Sequence, residues 1–424
     1  MKTVFEGEAE RVEEIGLDVA RDFVAERFSS IVERLSDEMA EALPEAKLEK
    51  LWGSLIKEFG RCASLCEIAS EKKAGFITVS VPMAFERRTL DLAIAFAGDR
   101  IVGLHILPHK GPVAPWSPPA YADPTAFRDM EIRFGHEPAA LPGTLTRPVG
   151  VEKPPIVILV HGSGALDRDE TIGPNRPFRD LAEGLATRGI AVLRYDKRTR
   201  VYPESFAAMT TLTVKDETTD DVTMAIAFLQ ARSDVDPARI VVIGHSLGGT
   251  LGPRIAVQNS PVSAIVVLAG AARPLPDIVI AQMEYLAGLD GPVSDADAQT
   301  IANLKAEAAR ASAARPGDDG PPFFGAPLSY WADLNAYDPA QVAASLTIPM
   351  LILQGGRDYQ VTIEDFNRFR AALSGHDNVS TRLLAGLNHQ FMPGVGRSTP
   401  AEYDTPGHVD AEAVDLIAAF VLSQ

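Results

Sequence analysis

The chain has 424 residues, 46% of them hydrophobic and 23% charged, the balance of an ordinary globular protein long enough for two domains. Its 57 acidic residues outnumber 40 basic ones, for a formal charge of −17. That sign argues against nucleic acid or an anionic membrane as a partner, because both reward clustered Lys and Arg.

The N-terminus, Met1-Lys-Thr-Val-Phe-Glu-Gly-Glu-Ala-Glu, is too acidic for a signal peptide, and no run of apolar residues is long enough to span a membrane. The expected location is the cytoplasm. Residues 1–108 then present helices followed by strands. Val19, Phe23, Phe28, Ile31 and Leu35 recur at helical spacing, and Leu48, Leu51, Leu55 and Phe59 mark a second helix. The two cysteines, Cys62 and Cys66, are predicted to neighbour one another on a helical face as packed small side chains. Strands are expected over Phe76–Phe85, Leu90–Ala97 and Ile101–Leu107, the last two joined at Gly98-Asp99. The prediction is a small α+β domain without a constellation of chemical side chains, suited to self-association or to control of substrate access. Pro112, Pro115, Pro118, Pro119 and Pro124 make residues 109–124 a linker.

Residues 125–424 follow a different pattern. Short continuous apolar runs at Ile156–Val160, Ile190–Tyr195, Ile240–Ile243, Ala264–Leu268 and Met350–Leu353 suit strands buried on both faces of a parallel sheet. Helical stretches alternate with them, which predicts a doubly wound, mostly parallel α/β domain. About residues 271–346 the alternation is interrupted by more chain than a crossover needs, and this insertion is expected to form a helical cap over the active site.

The chemistry is written at the strand ends. Ile240–Ile243 runs into Gly244-His245-Ser246-Leu247-Gly248, a Gly-x-Ser-x-Gly turn with a strand before it and a helix after it. That context lifts a serine onto a sharp, exposed elbow as a nucleophile. Ile156–Val160 leads into His161-Gly162-Ser163-Gly164, so the backbone N–H groups of Ser163 and Leu247 are expected to form the oxyanion hole. His161 itself reads as a packing residue. Met350–Leu353 is followed by Gly355-Gly356-Arg357-Asp358, and a later loop carries Asn388-His389. Ser246, Asp358 and His389 therefore stand in an order suited to nucleophile, acid and base, with Asp333 and Asp338 as competitors for the acid. The polar run Asp167–Glu170 is expected to order the oxyanion loop. Tyr285, Tyr330 and Trp331 in the cap are candidate pocket walls. A serine nucleophile of this kind calls for no metal and no cofactor.

The catalytic half resembles a bacterial α/β-hydrolase family of the dienelactone-hydrolase and acyl-esterase kind, often preceded by a small domain of unknown function. The resemblance lies in Leu141-Pro-Gly-Thr-Leu, His161-Gly-Ser-Gly-Ala-Leu-Asp167-Arg168-Asp169-Glu170, Gly173-Pro-Asn175, Arg194-Tyr-Asp196-Lys197-Arg198, Tyr337-Asp338-Pro, Asn388-His389 and Ser398-Thr-Pro-Ala-Glu402-Tyr. It implies the α/β-hydrolase fold and carboxylester hydrolysis, with lactones and thioesters as chemical variants. Serine at 246 departs from the cysteine of dienelactone hydrolases. Transfer of the acyl group to an alcohol or amine is the alternative enzyme reading, and an idle hydrolase fold serving as a binding protein is the alternative of another class. A small acyl compound is the expected ligand, and the N-terminal domain the expected route to any homo-oligomer.

Overall fold

The computed structural model describes residues 2–66, 68–73, 76–109, 115–207, 209–289 and 291–424. The chain divides into two compact units, Met1–Val113 and Ala114–Gln424.

In the first unit, strands β1 (Cys62–Leu65), β2 (Ala69–Lys73), β3 (Phe76–Phe85), β4 (Thr89–Ala97) and β5 (Arg100–Pro108) form an antiparallel sheet in which β1 and β2 both pair with β3. Alternation drives it: Val79, Val81 and Met83 on β3 and Leu92, Ile94 and Phe96 on β4 are buried. The helices Lys2–Val24 and Glu45–Phe59 cover that face with Val12, Val19, Phe23, Leu48 and Trp52. Burying each such side chain contributes roughly 1.5–3 kcal/mol, which is what holds so small a unit together.

Two expectations for this unit are corrected. The apolar periodicity over residues 19–35 belongs to two helices, Lys2–Val24 and Phe28–Val32, separated where Glu26 takes φ 54°. Cys62 and Cys66 are not on a helix: Gly60 at φ 83° ends the preceding helix, and Cys62 opens β1. Both thiols are free.

Of the expected linker, residues 110–114 lie outside the described residues. From Pro115 onward the chain is fastened to the second unit. The Trp116 indole N–H donates to Asp180 at 3.0 Å under the Arg179 guanidinium, and the Tyr121 hydroxyl donates to the Val409 carbonyl at 2.8 Å. Its prolines prevent helix, but its aromatic side chains make it an anchored arm.

The second unit is built on an eight-stranded sheet. Its strands are β6 (Phe127–Phe134), β7 (Leu141–Pro148), β8 (Ile156–Val160), β9 (Ala191–Tyr195), β10 (Ile240–His245), β11 (Val262–Leu268), β12 (Met350–Gly355) and β13 (Val379–Leu384), ordered β13-β12-β11-β10-β8-β9-β7-β6. From β13 to β9 neighbouring strands are parallel, while β7 pairs antiparallel with β9 and β6. Every residue of β8, β9, β10 and β12 is buried, as the continuous apolar runs required. The hairpin β6–β7 escaped the sequence because β6 is an edge strand whose polar residues face solvent.

Helices cover both faces of this sheet, one core gathering Phe178, Leu181, Val414 and Ile417 and the other Leu229, Leu251, Ile255 and Phe369. The stretch after β11 forms four helices, Leu275–Ala287, Asp295–Ala313, Leu328–Asn335 and Pro339–Ala344. Among the described residues no helix is long and apolar enough to cross a membrane. Because β8, β10, β12 and β13 run parallel, the loops leaving their C-terminal ends open on one edge of the sheet, the place where an open α/β sheet holds its ligand.

Candidate active site

At the end of β10 the chain turns directly into the helix Leu247–Gln258, and Ser246 sits on the turn with φ 53° and ψ −116°. A non-glycine residue is strained there, so neighbouring residues must hold it. Its N–H donates to the Leu268 carbonyl at 2.9 Å. A Cβ on Gly244 would drive into the Gly248 carbonyl oxygen, and one on Gly248 into the Val160 carbonyl oxygen. Only glycine closes the elbow at these positions. The helix that starts at Leu247 turns its free N–H groups and positive dipole end toward the serine.

Asp358 leaves β12 after a glycine pair and is 6% exposed. One carboxylate oxygen accepts from the backbone N–H of Gln360 at 2.8 Å and of Val361 at 3.0 Å. The other accepts from the Gln354 amide at 3.1 Å and meets His389 Nδ1 at 2.7 Å. A carboxylate oxygen facing Nδ1 can only accept there, which suits an imidazole that carries its proton on Nδ1 and presents Nε2. The loop that carries His389 is pinned by Asn388, whose side-chain oxygen accepts from the N–H groups of Gln390 and Met392. Glu402 ties this loop to the Asp358 loop, accepting from Asn388 and pairing with Arg357.

Ser246 and His389 line one cavity of about 510 Å³, together with Ser163 and Leu247, the two residues expected to supply oxyanion N–H groups. Tyr330 and Trp331 line it as well, beside Leu275, Ile278 and Phe324. The expected triad, both oxyanion residues and two of the three aromatic wall residues are thus brought together. Tyr285 is the exception. It does not line this cavity but stacks on Tyr359, ring centroids 4.9 Å apart, and donates its hydroxyl to the Ser398 carbonyl at 2.8 Å. Both competitors for the acid are engaged elsewhere. Asp338 caps the helix Pro339–Ala344, and Asp333 pairs with Arg254 at 2.8 Å.

His161 packs between Phe178 and Tyr195 and bonds the Asp167 carbonyl at 3.0 Å. Burial pushes its pKa down to about 4, so it is a neutral packing residue. In the run Asp167–Glu170, Arg168 pairs with Asp196 and Glu131, and Asp169 pairs with Arg194. Glu170 alone of the four turns inward and lines the cavity.

Glu170 organises a second layer behind the site. One of its oxygens accepts from the Gly162 N–H at 2.7 Å, and the other lies 2.9 Å from His245 Nδ1, an ion pair rather than a well-aligned hydrogen bond. The other ring nitrogen of His245 is 2.9 Å from the His389 carbonyl oxygen. Both neighbours of this ring are acceptors, so both of its nitrogens carry protons. Burial opposes that charge, but the Glu170 carboxylate outweighs it and holds the His245 pKa above its ordinary value. Reciprocally, burial would raise Glu170, and the His245 charge holds it below the ordinary carboxyl value. The sequence marked Glu170 by its run; nothing in the residues around His245 singled out its charge.

A model described as an alpha/beta hydrolase family matches residues 157–408, and one described as a protein of unknown function, DUF3887, matches residues 17–104. The chain is 36% identical over 399 residues to the esterase EstD of Thermotoga maritima, covering 94% of this chain and 92% of that protein. Among solved structures, Est1E from Butyrivibrio proteoclasticus aligns at 18% identity and a TM-score of 0.45, over 69% of this chain and 99% of that one. The Pyrococcus furiosus esterase Pf2001 aligns at 18% identity and a TM-score of 0.45, over 74% of this chain and 95% of that one.

Proposed function

Because this chain belongs to the alpha/beta hydrolase family, we propose that it hydrolyses carboxylic esters through an acyl-enzyme on Ser246, with His389 as base and Asp358 as its orienting acid. The observation that carries this reading is the 2.7 Å contact of His389 Nδ1 with Asp358, in a cavity that His389 shares with Ser246.

The steps follow from these positions. Ser246 Oγ attacks the ester carbonyl carbon while His389 Nε2 takes the hydroxyl proton. Negative charge gathers on the carbonyl oxygen, where the N–H groups of Ser163 and Leu247 meet it; one such donor stabilises the transition state by roughly 3–4 kcal/mol. The C–O bond then breaks and the imidazolium hands its proton to the leaving alkoxide. Water enters, gives a proton to His389, and attacks the acyl carbon. The acid departs and Ser246 regains its proton. Asp358 stays ionised throughout and stabilises the imidazolium. Apolar cavity residues such as Leu275, Ile278 and Trp331 favour an acyl group with hydrocarbon surface over a charged one.

The test is labelling with a fluorophosphonate together with turnover of p-nitrophenyl esters. The full-length protein should label and turn over, and Ser246→Ala should do neither while keeping its melting temperature, since it loses one oxygen. An unlabelled wild-type protein, or a Ser246→Ala variant with unchanged turnover, would overturn the proposal.

A further inference from the structure

Lys197, two residues beyond the end of β9, is 1% exposed. Its ammonium lies 2.6 Å from one oxygen of Glu217 and donates to the Gly162 carbonyl oxygen at 2.8 Å. The second oxygen of Glu217 accepts from the Tyr330 hydroxyl at 2.7 Å. Burial, and then the Glu217 charge, raise the Tyr330 pKa well above its ordinary value, which keeps that hydroxyl a donor. Glu217 and Tyr330 line the cavity and Lys197 does not, so the lysine stands behind the wall without touching substrate.

Desolvating an ammonium and a carboxylate costs several kcal/mol per ion, so a buried pair is weak evidence for stability alone. Its position here is informative. The carbonyl oxygen that Lys197 holds and the N–H of Ser163 belong to one planar peptide. Fixing the C=O therefore aims the N–H, and a cation on the oxygen draws electron density through the amide and makes that N–H a stronger donor. The preceding peptide is held from the other side, its Gly162 N–H by the Glu170 carboxylate.

On the hydrolytic reading above, we propose that Lys197 is a positioning residue for the oxyanion hole, aiming and polarising the Gly162–Ser163 peptide, with Glu217 and the cap residue Tyr330 fixing its ammonium. The cap is thereby linked to the stabilisation of the transition state through three side chains, Tyr330, Glu217 and Lys197.

The experiment uses the full-length protein, a p-nitrophenyl ester as substrate and an alkyl trifluoromethyl ketone as a probe whose hemiketal with Ser246 places an oxyanion in the hole. Lys197→Met combined with Glu217→Gln removes both charges together, so neither is left buried alone. Losing an oxyanion donor outright costs about 100- to 1,000-fold; Lys197 acts through a donor, so kcat should fall about 10- to 100-fold. KM should stay unchanged, and the Ki of the ketone should rise by the same factor as kcat falls. Tyr330→Phe, which loses a single oxygen, should move kcat and Ki together in the same direction by less. The proposal is overturned if the folded double variant keeps wild-type kcat and Ki, or if KM rises with kcat constant. If the double variant does not fold, an unchanged ketone Ki in Tyr330→Phe overturns it. Each result is distinct from failure of the hydrolytic reading, which would show as an inactive, unlabelled wild-type protein.

Discussion

Among the described residues of the N-terminal unit, Asp22 is the one polar or charged side chain that is buried, and Arg27 and Arg34 attend it. In the C-terminal unit His161, Glu170, Lys197, Glu217, His245, Asp358 and His389 are all buried, and they crowd toward the carboxyl ends of five strands, β8, β9, β10, β12 and β13. The first unit removes apolar surface from water and little else. The second also spends folding free energy on desolvating ionisable groups, and Glu170, Glu217, His245 and His389 among them line one cavity. Where a protein buries ions, and which backbone groups they face, is therefore a better guide to its chemistry than the size of its core.

The sharpest way to break this contrast is at the base. His389→Ala should lower kcat about 10⁶-fold, as members of such a set act as a unit, while Asp358→Asn should lower it about 10⁴-fold. Steady-state hydrolysis of a p-nitrophenyl ester measures both, and full activity in Asp358→Asn would return the acid to open competition.

Next comes the buried pair behind the site. Glu170→Gln should destabilise the fold by about 3–5 kcal/mol in urea titrations at pH 6, because an imidazolium loses its counter-ion. His245 faces Glu170, the ring and carbonyl of His389, and the more distant Asp358 charge. Its pKa is raised from 6.5 on folding, so its contribution is complete below that value and fades as pH rises through the folded one. The Glu170 pKa is lowered from 4.5, so its contribution is present above that value and fades as pH falls through the folded one. The stability gap between wild type and variant should be widest between these two values; a gap that grows steadily with pH would refute the ion pair.

The counterpart in the first unit is Phe23→Ala, a fully buried ring facing Trp52. It should cost about 3–5 kcal/mol of stability by differential calorimetry and leave kcat untouched. The smallest expected effect on turnover comes from a shortened chain starting at Pro115, which retains the Trp116 and Tyr121 anchors. Its kcat should match that of the full chain while its mass in solution reports lost self-association, if that is the first unit's role. A changed preference among ester sizes at unchanged mass would assign that unit to substrate access instead.

The sequence displayed those features that rest on local pattern. Buried strands came from continuous apolar runs, the elbow from its glycines, and Asp358 and His389 from their places after strands. The edge strand β6 and the early strands β1 and β2 were hidden because partly exposed strands carry no apolar run, and only their pairing with β3 and β7 defines them. Lys197 and Glu217 could not be matched from their neighbours: they lie far apart in the chain, and only tertiary packing brings the two charges together as a pair. Tyr285 was misplaced for the converse reason, since an aromatic on a cap helix can face Tyr359 as readily as the cavity.

Glu217 stands in a π-turn, Lys215–Thr219, continuous with the helix Asp220–Gln230. A turn of that kind holds one residue more than α-helical hydrogen bonding needs, and it is in effect an insertion absorbed without a loop. Each helical residue turns the chain by about 100°, so deleting one residue here would regularise the helix and swing a carboxylate at 217 away from Lys197. A one-residue deletion is then a route, beside substitution of Lys197 or Glu217, by which a related chain would lose this arrangement. A one-residue gap at this place in a relative's sequence, accompanied by an uncharged residue at the position of Lys197, would be the trace it leaves.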